Sequence, residues 1–467
     1  MAMSTLALVV ALAALSMASS QQQPLYSEYS FNPLEHLAGI APYFEPNDPA
    51  REPSPPQGCE VEKVAYLVRH AAINANDFDY ETYLEPFTDK LKNTTVDWSK
   101  IPELSFLSTW TPPKLEEQEL VTRSGKLEAA QLGVQMSFRY PKLRLPKRVW
   151  ASTAERTAIS AKGLIRGLET DENQINLVQI YEGKESGADS LTPYKACPAY
   201  SSSRGSEQSQ TYAKKYTAPI LARLKAYAPN FNWTANDVIG MQEWCGYDTV
   251  VRGSSPFCST TLFRPDEWLQ FEYTQDLMYH HNTGYGNPIS GSLGYGWVNA
   301  TQQLLSSDDN DDQDIYVSFT HRELPPTVLV TLGLFNNSDS TGTNDINATM
   351  PLDKVNYHRQ WVSSYILPFL TNIAVERMNC TGSYGYQNQT DPMYYRVLVN
   401  RSPQTIPDCH DGPQESCSAA GFQSFVEERG RLFGDFAGAC GVEYDNSTNV
   451  MSFYSSPNNG TIVGKKH

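Results

Sequence analysis

The residues of this chain that could do chemistry together are two histidines and their neighbours: Arg69-His70, Arg156 and His321-Arg322-Glu323. An imidazole with fixed guanidinium groups around it suits phosphoryl transfer. The ring attacks phosphorus while the cations hold the non-bridging oxygens. A carboxylic acid then protonates the departing alkoxide. Taken singly, such a histidine is more often a hydrogen-bonded structural residue, and an arginine in a helix's first turn is more often solvated. Spacing by itself therefore leaves the function open.

The elements that carry these residues argue for a shared site. Val64–Val68 reads as a buried strand with Arg69-His70 at its end. Arg148–Ser152 reads as a second strand, and a helix from Thr153 onward places Arg156 in its first turn. In DIYVSFT, residues 314–320, Ile315, Val317 and Phe319 alternate and His321 falls next on the same side. Pro325-Pro326 then open a helix whose positive end can face the site. Residues 124–138, SGKLEAAQLGVQMSF, show helical spacing, with Ser124 available to cap the start. All three sets fall at strand ends, where open α/β sheets bind ligands.

Residues 5–17, TLALVVALAALSM, are too short for a comfortable membrane span and read as a signal peptide ending near Ser20. The segment 42–57, PYFEPNDPAREPSPPQ, reads as an extended arm. From about Leu191 to Leu305 the pattern changes to helices separated by loops rich in Tyr, Gly, Ser and Pro. The expected plan is a signal peptide (1–20), an extended arm (21–58), an α/β core (59–190 and 306–467) and an inserted, mainly helical subdomain (191–305).

Eight cysteines, with no CxxC pair and no His/Cys cluster of zinc spacing, indicate disulfides and not a metal site. Ten Asn-x-Ser/Thr sequons accompany them, at Asn93, Asn232, Asn299, Asn336, Asn347, Asn379, Asn388, Asn400, Asn446 and Asn459. Both features suit a glycosylated, secreted or extracellular protein. A net charge of −16 over 467 residues argues against nucleic acid as a partner. It allows a small anionic substrate held by a local arginine cluster.

Three longer stretches carry a resemblance. VWASTAERTAISAKGLIRGL (149–168), SPFCSTTLFRPDEWLQFEYTQDLMYHHNTGYGNP (255–288) and FTHRELPPTVLVTLGLFN (319–336) are similar to segments of the fungal histidine acid phosphatases, in the branch that includes the phytases. The resemblance implies a phosphoglycerate-mutase-like, mainly parallel sheet flanked by helices. It implies a secreted phosphomonoesterase, free of metal and cofactor, that acts at acidic pH on a small-molecule phosphate ester. His70 would be the phosphorylated nucleophile and Glu323 the proton donor, with Arg69, Arg156 and His321 binding the phosphate. The cysteines would pair as Cys59–Cys380, Cys197–Cys440, Cys245–Cys258 and Cys409–Cys417, one of the 105 ways of joining eight.

Two departures stand out. The family's Arg-His-Gly-x-Arg-x-Pro is here Arg69-His70-Ala71-Ala72-Ile73-Asn74-Ala75, so the second arginine, the glycine and the proline are missing. The usual His-Asp is here His321-Arg322-Glu323, for which a related branch with His-Ala-Glu provides a precedent. One lost charge-assisted bond is worth ~2–4 kcal/mol to the transition state, and Ile73→Arg would be expected to restore part of it. Arg322 is a candidate substitute, although neighbours on an extended strand face opposite ways, which points it out of the site. The alternatives are a family member without phosphatase activity, kept as a binding glycoprotein, and an acid–base isomerase or lyase using His70 and Glu323. His280-His281 reads as packing or surface. Trp98 and Trp110 suit either a substrate mouth or a packed loop.

Overall fold

Strand β1, Glu60–Arg69, is apolar along most of its length and fully buried from Val64 onward, as befits a strand covered on both faces. The computed structural model describes residues 31–46, 53–113, 118–168, 174–307, 312–337, 350–381, 391–442, 448–455 and 462–463. The signal-peptide segment, and the sequons at Asn347, Asn388, Asn446 and Asn459, lie outside them. The other strands are β2 (Arg148–Ser152), β3 (Asn176–Ile180), β4 (Ile315–Thr320), β5 (Asn372–Asn379), β6 (Met393–Val399), β7 (Ser402–Gln404), β8 (Cys417–Ser418) and β9 (Ile462–Val463).

They form one nine-stranded sheet in the order β7-β6-β5-β1-β4-β2-β3-β9, with β8 paired to β6. β1, β4, β2, β3 and β9 run parallel. β5, β6, β7 and β8 pair antiparallel. The expected mainly parallel α/β sheet is therefore present, with an antiparallel flank that begins beside β1. Sequence order breaks where β1 lies between β4 and β5, and ligands of open α/β sheets sit at such switch points.

Helices α1 (Glu85–Lys92), α2 (Arg123–Arg139), α3 (Glu155–Gly167), α4 (Ser206–Tyr227), α5 (Ala235–Arg252), α6 (Pro265–Asn282), α7 (Ser290–Ser306), α8 (Leu324–Thr331) and α9 (Ala419–Phe433) supply the main layers. The cap of α2 is Thr122, whose side chain accepts from Gly125 N. Ser124, the expected cap, instead lies in the first turn and donates to Val250 O. Residues 191–305 hold the four long helices α4–α7 and no named strand among the described residues. A core cluster joins Trp297 and Val298 of α7 to Tyr316 of β4 and Val328 and Leu329 of α8.

In the N-terminal arm, Pro33–His36 and Ala38–Ile40 form single 3-10 turns, and Leu37, Ala38 and Ala41 are buried. His36 Nδ1 lies 3.1 Å from Glu272 of α6, whose other oxygen accepts from Arg359. This arm is thus packed into the fold, and its Gly39 carbonyl reaches the site described below.

All four cysteine pairs expected from the resemblance are formed: Cys59–Cys380, Cys197–Cys440, Cys245–Cys258 and Cys409–Cys417. Asn400 is buried, its Nδ2 donates to Tyr365 O and its Oδ1 accepts from Asn372 N. Its sequon is therefore closed to glycosylation in the folded chain. Among the described residues no helix is long and apolar enough to cross a membrane.

Candidate active site

The carboxyl ends of β1, β2 and β4 open on a cavity of about 260 Å³ lined by Arg69, His70, Ile73, Asp77, Glu119, Arg156, His321, Arg322 and Glu323, with Asn76, Phe78, Tyr247 and Phe369 completing its wall. All five residues read from the sequence as site groups are brought together here. So is Arg322, which strand alternation had turned away. The reason is local: β4 ends at Thr320 and the chain turns at 322–323, so the two-residue period no longer applies.

His70 is held by backbone on both sides. Its N–H donates to Thr320 O, and Leu370 N donates to the His70 carbonyl. The ring nitrogen Nδ1 lies 2.9 Å from Ala71 O, and a carbonyl can only accept. Nδ1 therefore carries the proton, and Nε2 is left with the lone pair. Burial, reinforced by Arg69, Arg156 and His321, drives the ring's pKa well below the ordinary histidine value. It stays neutral, and so nucleophilic, in acid.

The loop that departs from the family pattern is pinned throughout. Ala71 N donates to Ser160 Oγ, Thr122 N and Oγ1 donate to Ala72 O, and Asn74 N donates to Leu120 O. Ile73 bridges Val121 and faces the cavity. Gly125 of α2 makes the fit possible, since a Cβ there would lie 2.3 Å from Ala72 O. The site thus presents an aliphatic side chain at residue 73 by construction.

Three arginines remain. Arg69 is buried, donates from Nη1 to Gly39 O at 2.6 Å and to Leu367 O, and stacks 4.6 Å from the Phe369 ring centre. Its Nε has no partner among the described residues. A buried donor left bare is uncommon, and an anion oxygen would satisfy it. Burial, then the charge of Arg322, lower its pKa to about 10, so it remains a cation at any acidic or neutral pH.

Arg156 donates from Nε to His321 Nδ1 at 3.2 Å and from Nη1 to Glu119 at 2.8 Å. Arg322 is half-buried, with Nε 3.4 Å from Glu323 and its guanidinium 5.9 Å from the Tyr279 ring centre. Tyr279 favours its charged form first, and against burial Glu323 and Asp79 do so too.

Burial pushes the Glu323 carboxyl up, but Arg322, His321 and Arg69 together draw it below the usual range. A phosphate among those cations would offset their pull and let the carboxyl take up a proton.

Two carboxylates escaped the sequence reading. Glu182, two residues beyond β3, lies 3.0 Å from His321 Nε2. Glu119 sits on Arg156 with a left-handed backbone, φ 59°, uncommon for a residue with a side chain. Neither has a signal in the local sequence, because each partner is brought near only by the fold, across intervening helices and strands. Trp98 packs on Phe231 and Trp233, and Trp110 on Trp244 and Phe257. Neither lines the cavity. His280 is buried against Trp361.

Both the sequence and the fold are similar to those of known proteins. The model of the histidine phosphatase superfamily, branch 2, matches residues 60–400. A thiamine-repressible acid phosphatase of Schizosaccharomyces pombe is 31% identical over 408 residues, covering 83% of this chain and 85% of that one. A phytase of Candida albicans is 29% identical over 457 residues, covering 92% and 91%. The crystal structure of the phytase from D. castellii superposes with a TM-score of 0.81 at 23% identity, covering 97% of each chain.

Proposed function

The chain belongs to branch 2 of the histidine phosphatase superfamily, and from that premise we propose that it is an acid phosphatase hydrolysing small phosphate monoesters through a phosphohistidine on His70. The observation that supports this best is the single cavity holding a neutral, buried imidazole with its Nδ1 proton committed to Ala71 and three guanidinium groups around it.

The steps follow from the geometry. Arg69, Arg156 and Arg322 bind the three non-bridging oxygens, and His321 donates a further hydrogen bond. His70 Nε2 attacks phosphorus as the ester P–O bond breaks, and the departing oxygen takes the Glu323 proton. Water then attacks the phosphohistidine, giving its proton back to the Glu323 carboxylate and releasing phosphate and neutral His70. The acidic optimum follows from sign. Glu323 must be protonated, its pKa is drawn down, and so turnover of esters with poor leaving groups falls as pH rises. His70 stays unprotonated in the same range.

The cavity carries three arginines against Asp77, Glu119 and Glu323, and no lysine lines it among the described residues. Those cations suffice for one phosphate, which favours simple monoesters over densely charged inositol phosphates. Four disulfides fit an oxidising, extracellular setting. The secreted protein is expected to hydrolyse an aryl phosphate at acidic pH, undiminished by EDTA. No turnover from acidic to neutral pH would sink the proposal.

Glu323→Gln should slow alkyl phosphates ~10²-fold or more while leaving activated aryl phosphates much less affected. Equal losses on both would make Glu323 structural. Glu119 holds Arg156 Nη1, and its carboxylate charge beside that guanidinium opposes an incoming phosphate. The pair is part-exposed, so its worth is at most ~1 kcal/mol. Glu119→Gln is therefore expected to lower KM by about two- to fivefold at unchanged kcat. A fall in kcat would mean that Glu119 orients Arg156 instead.

A further inference from the structure

Glu182 is the group on which His321 depends. Its Oε1 lies 3.0 Å from His321 Nε2 and accepts from Ala154 N, at the N-cap of the helix that carries Arg156, at 3.2 Å. Its Oε2 pairs with Lys195. One carboxylate therefore ties the end of β3 to two phosphate-binding groups on different elements.

A carboxylate only accepts, so Nε2 of His321 carries a proton. Nδ1, facing Arg156 Nε at 3.2 Å, must then be a bare lone pair in the free protein. That tautomer cannot donate to phosphate. To do so, His321 must gain a second proton on Nδ1, release Arg156 Nε to the incoming oxygens, and become an imidazolium.

Resting on the proposed phosphatase reading, we infer that Glu182 is a positioning residue that lets His321 take up one proton from solvent as phosphate binds. The imidazolium then donates from Nδ1 to phosphate and from Nε2 to Glu182. The charged groups facing His321 are few. Arg156 on α3 opposes its protonation, Glu182 beyond β3 and Glu323 beside it favour it, and the neutral His70 ring at the end of β1 faces it at 5.8 Å. Arg322 adjoins it, and Lys195 and Tyr194 stand behind Glu182. Burial lowers the His321 pKa, and the Glu182 hydrogen bond is the largest effect raising it. Burial disfavours the Glu182 anion, but His321, Lys195 and Ser152 outweigh it, so the carboxylate persists deep into acid.

The sign of the consequence is fixed. Activity needs protonated His321, so it is present below the His321 pKa of the complex and lost as pH rises through it. Removing the charge of Glu182 lowers that pKa and moves the alkaline limb of kcat, which reports groups of the bound complex, to lower pH. Removing Lys195, which competes for Glu182, moves the limb the other way.

The test uses an activated aryl phosphate, whose leaving group needs no proton from Glu323, together with calorimetric binding of inorganic phosphate in buffers of different ionisation heat. Glu182→Gln should shift the alkaline limb down by a pH unit or more and recover to within about threefold of wild type at the acid end. It should also take up close to one proton fewer per phosphate bound. Glu182→Asp should keep the wild-type limb, and the part-exposed Lys195→Gln should raise it. A loss by Glu182→Gln that is uniform across pH, with unchanged proton uptake and no movement in Lys195→Gln, overturns the inference. A wild type that hydrolyses no ester would refute the phosphatase reading, while the binding arm would still decide the role of Glu182.

Discussion

Replacing His70 with alanine is expected to abolish phosphatase activity, by at least ~10⁴-fold in kcat, while changing stability by no more than about 1–2 kcal/mol. The first half follows from roles. No other imidazole can stand in, because His321 Nε2 is committed to Glu182 and its Nδ1 faces Arg156. The second half follows from surroundings. His70 is buried, but its strand is held by backbone bonds that alanine retains, from residue 70 N to Thr320 O and from Leu370 N to its carbonyl. The lost packing is against Phe369 and His321. Removing a ring enclosed by three cations also relieves the penalty against protonating it. Activity, melting temperature and secretion yield measured together check both halves. Residual turnover near wild type would eliminate the phosphohistidine mechanism.

Arg322→Ala is expected to lower kcat/KM by ~10²–10³-fold, the worth of one preorganised cation at the transition state. This differs from what the sequence invited, which was to look to residue 73 for repair. With Arg322 already in the cavity, Ile73→Arg in the wild type adds a fourth guanidinium near Arg69 and Arg322. It should bring little gain and lose stability through like-charge crowding. In the Arg322→Ala background the same Ile73→Arg change should recover about tenfold or more, because the cation count returns to three. Four proteins, assayed as a double-mutant cycle on one aryl phosphate, give the coupling directly. Full activity in Arg322→Ala, or equal effects of Ile73→Arg in both backgrounds, would remove Arg322 from phosphate binding.

The contrast between residues 73 and 322 shows how far the sequence could be read. β1 and β2 are legible as short apolar runs, β4 by the alternation of Ile315, Val317 and Phe319, and α3 because a strand–turn–helix unit is local. The four disulfides were legible only through resemblance, since Cys59 and Cys380 are 321 residues apart. Alternation points Arg322 out of the site only when it is carried two residues past the end of β4 at Thr320. Glu182 and Glu119 were invisible for a different reason. Each acts on a partner brought near by the fold, 139 residues away for Glu182 and His321, and 37 for Glu119 and Arg156. Ser124 lost the cap of α2 to Thr122, which also holds the Ala72 carbonyl and so serves both elements.

The central claim is a covalent bond between phosphorus and His70 Nε2, and rapid quenching tests it most directly. The protein is mixed with an aryl phosphate labelled in its phosphoryl group, quenched in alkali within the first turnover, digested and mapped. The account predicts up to one label per chain, stable to alkali and lost in acid, on the peptide containing His70 and absent from His70→Ala. Wild-type turnover with no label on that peptide, or label retained in His70→Ala, would contradict it.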